Sequence, residues 1–266
     1  VGFTHTLDTL EALRRAESLA RLIGGQEYLD ARYTELTQSL LDAERLPERI
    51  VRGDRRYDIR RVPVAGYTVR RLPAKARQTL ERAHPAAWEA AVRVSPPERS
   101  HHIRLDAGRP GLQSTEWRAH KDAGAARWSA DLEQRFGARD WSRATVRATT
   151  ALELRQLRGE HGKTVDKAKI ELAEFVVARE LPLIIPGYRD GKIVARRNPD
   201  TYVVDYDLLE QRFPEAARLI TRSTVPERMR LDFVEWKPTP EDPDDSDDSA
   251  MGSDYRARMA GRPGIW

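Results

Sequence analysis

The chain reads as one unit written twice. Residues 46–69 lie over residues 181–204 at a constant offset, matching Leu46 with Leu181, Pro47 with Pro182, Ile50 with Ile185, Arg61 with Arg196, Tyr67 with Tyr202 and Val69 with Val204. After a six-residue difference in length the match resumes. Leu80-Glu81, Pro85 and Ala87 lie over Leu209-Glu210, Pro214 and Ala216, Arg93 over Arg222, and Pro97-Glu98-Arg99 over Pro226-Glu227-Arg228. Each run closes on Arg-Leu-Asp, at Arg104-Leu105-Asp106 and Arg230-Leu231-Asp232. Matches that stay collinear over this length, with two differences in spacing, indicate duplication of a supersecondary unit. Shared positions then speak for the fold, and differences between the copies speak for function.

Cysteine is absent, which excludes disulfides and thiolate metal sites and fits a reducing compartment. With a charged fraction of 33% and a mean hydropathy of -0.68, the chain has no apolar run of bilayer-spanning length. The expectation is a cytoplasmic protein of a bacterium or phage-infected host, without a membrane partner. Arginine outnumbers lysine 39 to 7, a skew that follows a GC-rich genome as readily as a function. Residues 237–266 carry four basic side chains against seven acids, so the net charge of +4 conceals a more basic body. A basic body points to an anionic partner, nucleic acid being the commonest.

Apolar spacing predicts the elements. Thr6 caps a helix with a stripe at Leu7, Leu10, Leu13, Ala16, Ala20 and Ile23, which Gly24-Gly25 is expected to break or kink. A second helix carries Leu29, Tyr33, Leu36 and Leu40, and Leu46-Pro47 stops it. Residues 49–71 change to period two, with turns at Gly53-Asp54 and Ala65-Gly66, and predict an antiparallel hairpin or small meander. Residues 73–93 return to helix, and His101 to Asp106 form a strand. Ser114 caps a helix through Trp117, Trp128, Leu132 and Phe136, ended by Gly137. Asp140 is expected to start the next helix, which Leu181-Pro182 stops. Asp190-Gly191 marks a hairpin followed by strands at 192–197 and 202–205. A short helix over 207–221 and a closing strand over 231–236 complete the second run.

The fold expected is therefore α+β: a tandem duplication of a long helix, β-hairpin and short helix, pseudo-symmetric, with a disordered acidic C-terminal tail. Residues 1–106 form unit one, 107–142 a helical connector, 143–236 unit two and 237–266 the tail. The helical arms are the surfaces expected for mutual or homodimer contact.

The two hairpins differ in charge. Residues 49–71 hold Arg49, Arg52, Arg55, Arg56, Arg60, Arg61, Arg70 and Arg71 against Asp54 and Asp58, whereas 184–207 balances four basic groups with four acids. Guanidiniums on an exposed ribbon suit phosphate oxygens, and Arg99, His101, His102 and Arg104 are expected to extend the patch. The bland alternative is a charged sheet edge that resists aggregation.

No Walker loop or dinucleotide fingerprint is present, and no cofactor is expected. Adjacent His101 and His102 point to opposite faces of a strand and make a poor metal pair. Trp117, Trp128 and Trp141 sit on helical stripes and read as core. The run Phe233-Val234-Glu235-Trp236-Lys237 resembles the second half of a PD-(D/E)xK nuclease motif, with Asp205 or Asp200 as the earlier acid.

The order long helix, hairpin, short helix, and then Leu219-Ile220-Thr221-Arg222-x-x-x-Pro226-Glu227-Arg228-x-x-Leu231, resembles the phage Mu Gam-like host-nuclease inhibitors over roughly 143–236, and less clearly over 26–106. The resemblance implies long helices paired with a small β region and binding of DNA ends without sequence preference. It assigns Arg222 and Arg228 to DNA contact. Members of that family act as dimers of single units, so a duplicated chain corresponds to a fused pseudo-dimer. The leading expectation is a non-enzymatic, sequence-nonspecific DNA-binding accessory protein of a phage or mobile element. Its DNA-contacting residues would be Arg52, Arg55, Arg56, Arg60, Arg61, Arg70, Arg71, Arg222 and Arg228. Two alternatives stay open. One is an assembly or scaffold protein that binds other proteins through its helical arms and acidic tail. The other is a metal-dependent nuclease built on Glu235, Lys237 and Asp205.

Overall fold

The computed structural model describes residues 6–109 and 111–237. The expected tail disorder falls outside the described residues. The chain runs α1 (Leu7–Leu41), β1 (Arg49–Arg52), β2 (Arg55–Val64), β3 (Tyr67–Arg71), α2 (Ala74–Ala83), α3 (Pro85–Ala91), β4 (Val92–Ser95) and β5 (His101–Ala107). Then follow α4 (Thr115–Phe136), α5 (Ala144–Ala178), β6 (Ile184–Pro186), β7 (Gly191–Arg197), β8 (Thr201–Val204), α6 (Tyr206–Arg212), α7 (Pro214–Ala217), β9 (Thr221–Val225) and β10 (Arg228–Glu235). The order of long helix, three strands, two short helices and two strands thus occurs twice, with α4 between the runs. No helix among the described residues is long and apolar enough to cross a membrane.

Helix α1 begins where Thr6 accepts a hydrogen bond from the Thr9 amide and continues unbroken through Gly24-Gly25, contrary to the expected break. The glycines serve contact instead. A Cβ on Gly24 would overlap the Lys121 carbonyl of α4, and one on Gly25 would meet Trp128. Helix α5 starts four residues beyond Asp140, also contrary to expectation. Asp140 instead accepts bonds from the Ser142 amide (3.1 Å) and hydroxyl (2.6 Å), making a turn that precedes the helix.

Helices α1 and α5 run antiparallel. Arg179 pairs with Asp8 at one end, Arg158 with Asp30 further along, and His161 Nε2 donates to the Leu22 carbonyl between them. Each helix is about 50 Å long and supports two cores. One core joins Leu13 and Leu19 to Leu172, Val176, Trp117, Ile103, Ile185 and Ile193. The other joins Leu29 and Leu40 to Leu152, Leu154, Ile50, Ile59, Leu231 and Phe233. Tryptophan therefore packs as read: Trp117 is 3% exposed, Trp128 meets His161 edge-on at 5.2 Å, and Trp141 lies against the second core.

Strand pairing crosses between the two runs. The sheet orders are β1-β2-β10 and β5-β7-β6, and two-stranded ribbons form from β3 with β9 and from β4 with β8. Each of the four thus joins strands from residues 1–106 to strands from residues 143–236. The expected local meander is limited to a hairpin in each run. Gly53, with φ 60°, turns β1 into β2. Gly66 has no such conformation, and the chain runs on past Val225 so that β3 pairs with β9. Likewise β8 leaves β7 and pairs with β4.

Positions matched in sequence occupy matched places. Leu80 in α2 and Leu209 in α6 are both fully buried, as are Ala87 in α3 and Ala216 in α7. His84 and Phe213 separate the paired short helices with nearly identical dihedrals (φ -134°, ψ 58° and φ -132°, ψ 61°), each followed by proline. On the closing strands Arg104 pairs with Asp106 at 3.3 Å, and Arg230 with Asp232 at 3.2 Å.

Helices α2, α3, α6 and α7 form a cap whose core contains no residue of α1, α4 or α5. The ribbons that reach it are solvent-exposed along most of both faces. They leave the two sheets, which sit on opposite halves of the long helices, and converge in the cap. The described chain therefore closes a circuit: helical body, ribbon, cap, ribbon.

Candidate nucleic-acid interface

Alternation along β2 sorts its side chains. Tyr57 and Ile59 turn inward and are buried, so Arg56, Asp58 and Arg60 face outward. Residues directly opposite on antiparallel neighbours share a face. Arg49 of β1 lies opposite Asp58, and Asp232 and Arg230 of β10 lie opposite Arg60 and Val62. The outer face thus gathers Arg49, Arg56, Arg60 and Arg230 around two carboxylates. Asp58 is shared between Arg49 (3.2 Å) and Arg60 (3.1 Å). The side chains of Arg49, Arg60 and Arg230 remain 43%, 64% and 58% exposed. At one edge the Arg49 and Arg56 guanidiniums lie over the Trp236 ring at 5.1 and 5.5 Å, which holds two planar cations beside an aromatic surface.

Not every expected arginine belongs to this face. Arg61 has the parity of Tyr57 and Ile59, and its guanidinium donates to the Leu40 (3.3 Å) and Ala43 carbonyls, closing the end of α1. Arg70 binds Asp207 (2.6 Å), and Arg222, opposite it in the β3–β9 ribbon, binds Glu210 (2.8 Å), which also accepts from Arg70. These two arginines fasten the ribbon to the cap. The hydrogen bond that Arg70 donates to Asp207, helped by the carboxylate's charge, raises the Arg70 pKa further. Arg55 stands at the hairpin end against Glu235 at 3.5 Å. Arg52, opposite Arg55, and Arg71 have no ion pair among the described residues, and Arg228 begins β10 exposed, opposite Val64.

The expected extension through Arg99, His101, His102 and Arg104 does not reach this sheet, because β5 crosses to pair with β7. Arg104 instead joins Lys192 and Arg196 on the second sheet, with Asp106 at 3.3 Å from Arg104 and 3.8 Å from Arg196. The stretch 184–207 counts as neutral along the chain, yet Lys192, Arg196 and Arg197 stand on β7 while Asp190, Asp200, Asp205 and Asp207 all lie outside that strand. Counting charge along the chain averaged Lys192 and Arg196 with these acids, and only the pairing of β7 with β5 sets them beside Arg104.

The nuclease residues are not brought together. Asp205 caps α6 by accepting from the Leu208 amide (2.9 Å) in the cap. Glu235 ends β10 at its far end from the ribbon and is held by Arg55. The intervening helix and turn place the two acids on different cores, and Lys237 follows Glu235 away from the cap. Among the described residues no three His, Asp or Glu side chains cluster to hold a metal.

No family model matches the chain, and no curated protein or solved structure matches it either.

Proposed function

We propose that the chain is a non-enzymatic, sequence-nonspecific DNA-binding accessory protein of a phage or mobile element, acting in recombination or nuclease protection. The observation that carries this reading is the outer face of the first sheet, where Arg49, Arg56, Arg60 and Arg230 stand around two engaged carboxylates, Asp58 shared by Arg49 and Arg60 and Asp232 paired with Arg230. Guanidiniums at strand spacing suit successive phosphate oxygens and read no base edge. The two runs are read as fused copies of one unit, so one chain supplies what two subunits of the Gam-like proteins would. The long helices then satisfy each other within the chain, and homodimer contact through them becomes secondary.

The test is binding of linear and covalently closed circular DNA at two salt concentrations, with and without Mg²⁺. Wild type is compared with the joint Arg49, Arg56 and Arg60 to Ala variant. Salt-sensitive binding to linear DNA, weakened in the variant and without cleavage, is expected. Equal binding by the variant would sink the proposal.

A second reading is favoured by one observation. Leu183 and Ile184 are 54% and 55% exposed at the edge strand β6, a surface suited to a protein partner by strand addition. In that reading the chain is an assembly protein, and the acidic tail is a further docking segment.

A further inference from the structure

We propose that the cleft between strands β5 and β7 and the first turns of α4 binds a compact phosphate polyanion, a phosphate monoester or diphosphate. The cleft encloses about 480 Å³ and is lined by Arg104, Arg109, Arg118, Lys121, Lys192 and Arg196. Asp106 is the one carboxylate in its wall, already divided between Arg104 and Arg196. The nearby acids are turned away. Asp190 accepts from the Thr115 and Glu116 amides and the Ser114 and Thr115 hydroxyls. Glu116 accepts from the Tyr188, Arg189 and Gly191 amides. Lys121 pairs with Glu27 (2.6 Å) and Arg118 donates to Gln113 (2.7 Å). Arg109 and Lys192 have no acidic partner among the described residues, and Lys192 is half-buried.

Asp106 stands opposite Lys192 across the β5–β7 pair but is engaged by Arg104 and Arg196, so an anion entering the cleft adds a partner for a half-buried ammonium. The cations converge on a concavity, whereas those of the first sheet spread over a flat face. A concave cluster fits a small, multiply charged group better than an extended backbone. Helix α4 has no counterpart in the repeated order, so this site is not expected to have a twin on the first sheet.

The experiment is titration calorimetry with inorganic pyrophosphate, and with short duplexes bearing either a 5′-phosphate or a 5′-hydroxyl. Wild type is compared with an Arg109→Ala, Lys192→Gln double variant and with Arg60→Ala. Pyrophosphate is expected to bind wild type and Arg60→Ala alike and the double variant about tenfold more weakly. A preference for the 5′-phosphate duplex that disappears in the double variant would identify a strand end as the source of the phosphate. Equal binding of both duplexes would assign a free small phosphate. No pyrophosphate binding by wild type, or equal binding by the double variant, overturns the proposal and leaves DNA binding by the first sheet to stand or fall separately.

Discussion

Gly24 of α1 and Gly124 of α4 interlock where the two helices cross: a Cβ on either would overlap a backbone carbonyl of the other helix, Lys121 in one case and Arg21 in the other. Backbone cannot yield as a flexible side chain can. Gly24→Ala and Gly124→Ala should each lower stability by about 1–3 kcal/mol, although alanine is the better helix former by about 1 kcal/mol. Gly159→Ala, exposed on α5 with open space around it, should raise stability by about 0.5–1 kcal/mol. Urea denaturation of the three variants checks the sign of each change.

The cap should be equally sensitive at matched positions. Leu80→Ala and Leu209→Ala each remove a fully buried side chain from one shared core, and each should cost about 2–5 kcal/mol. Because the two share neighbours, the double variant should cost other than the sum. A small effect at either site in equilibrium unfolding would mean that the cap is not held by this core.

Adjacent arginines should separate binding from folding. Arg60→Ala removes an exposed outward guanidinium, so stability should stay within about 0.5 kcal/mol of wild type. The slope of log affinity for DNA against log salt should fall by about 1. Arg61→Ala frees carbonyls at the end of α1 and should destabilise by about 1–3 kcal/mol. Salt titrations beside denaturation curves would show both effects, and a reversal of the two roles would contradict the assigned faces.

Asp190 predicts a pH dependence. The Thr115 and Glu116 amides, with the Thr115 and Ser114 hydroxyls, hold its carboxyl well below the usual carboxylate range. A depressed folded pKa means that the stabilisation is present above the unfolded value of about 3.9 and is lost as pH falls through the folded one. Asp190→Asn should therefore melt lower than wild type at neutral pH, and the gap should narrow progressively below about pH 4. Thermal melts at neutral and acid pH test this; a gap that widens in acid would exclude it.

The long helices, the Ser114 cap and the doubled order were legible because each depends on neighbours in sequence, whereas α1 ends at Leu41 and α5 at Ala178, ahead of Leu46-Pro47 and Leu181-Pro182 that were expected to stop them. Gly24-Gly25 was misread because glycine weakens an isolated helix yet permits close crossing, and only the position of α4 decides between the two. The partners of β2 and β7 were not legible, since β10 and β5 come from the other run and no local pattern encodes them. Arginine abundance was visible, and alternation from Tyr57 and Ile59 already gave Arg61 its inward parity. The cations around Lys192 were invisible as a group, because three separate segments contribute them.

The pairing of β2 with β10 has a consequence during synthesis. Roughly 160 residues must be translated after β2 before β10 exists, which at 5–20 residues per second is on the order of ten to thirty seconds. Throughout that interval one long edge of the nascent first sheet has no neighbour and is a template for strands of other chains. Arg56 and Arg60 sit on that waiting strand. The guanidiniums assigned to DNA in the finished protein would keep the unfinished one from its own kind on the ribosome.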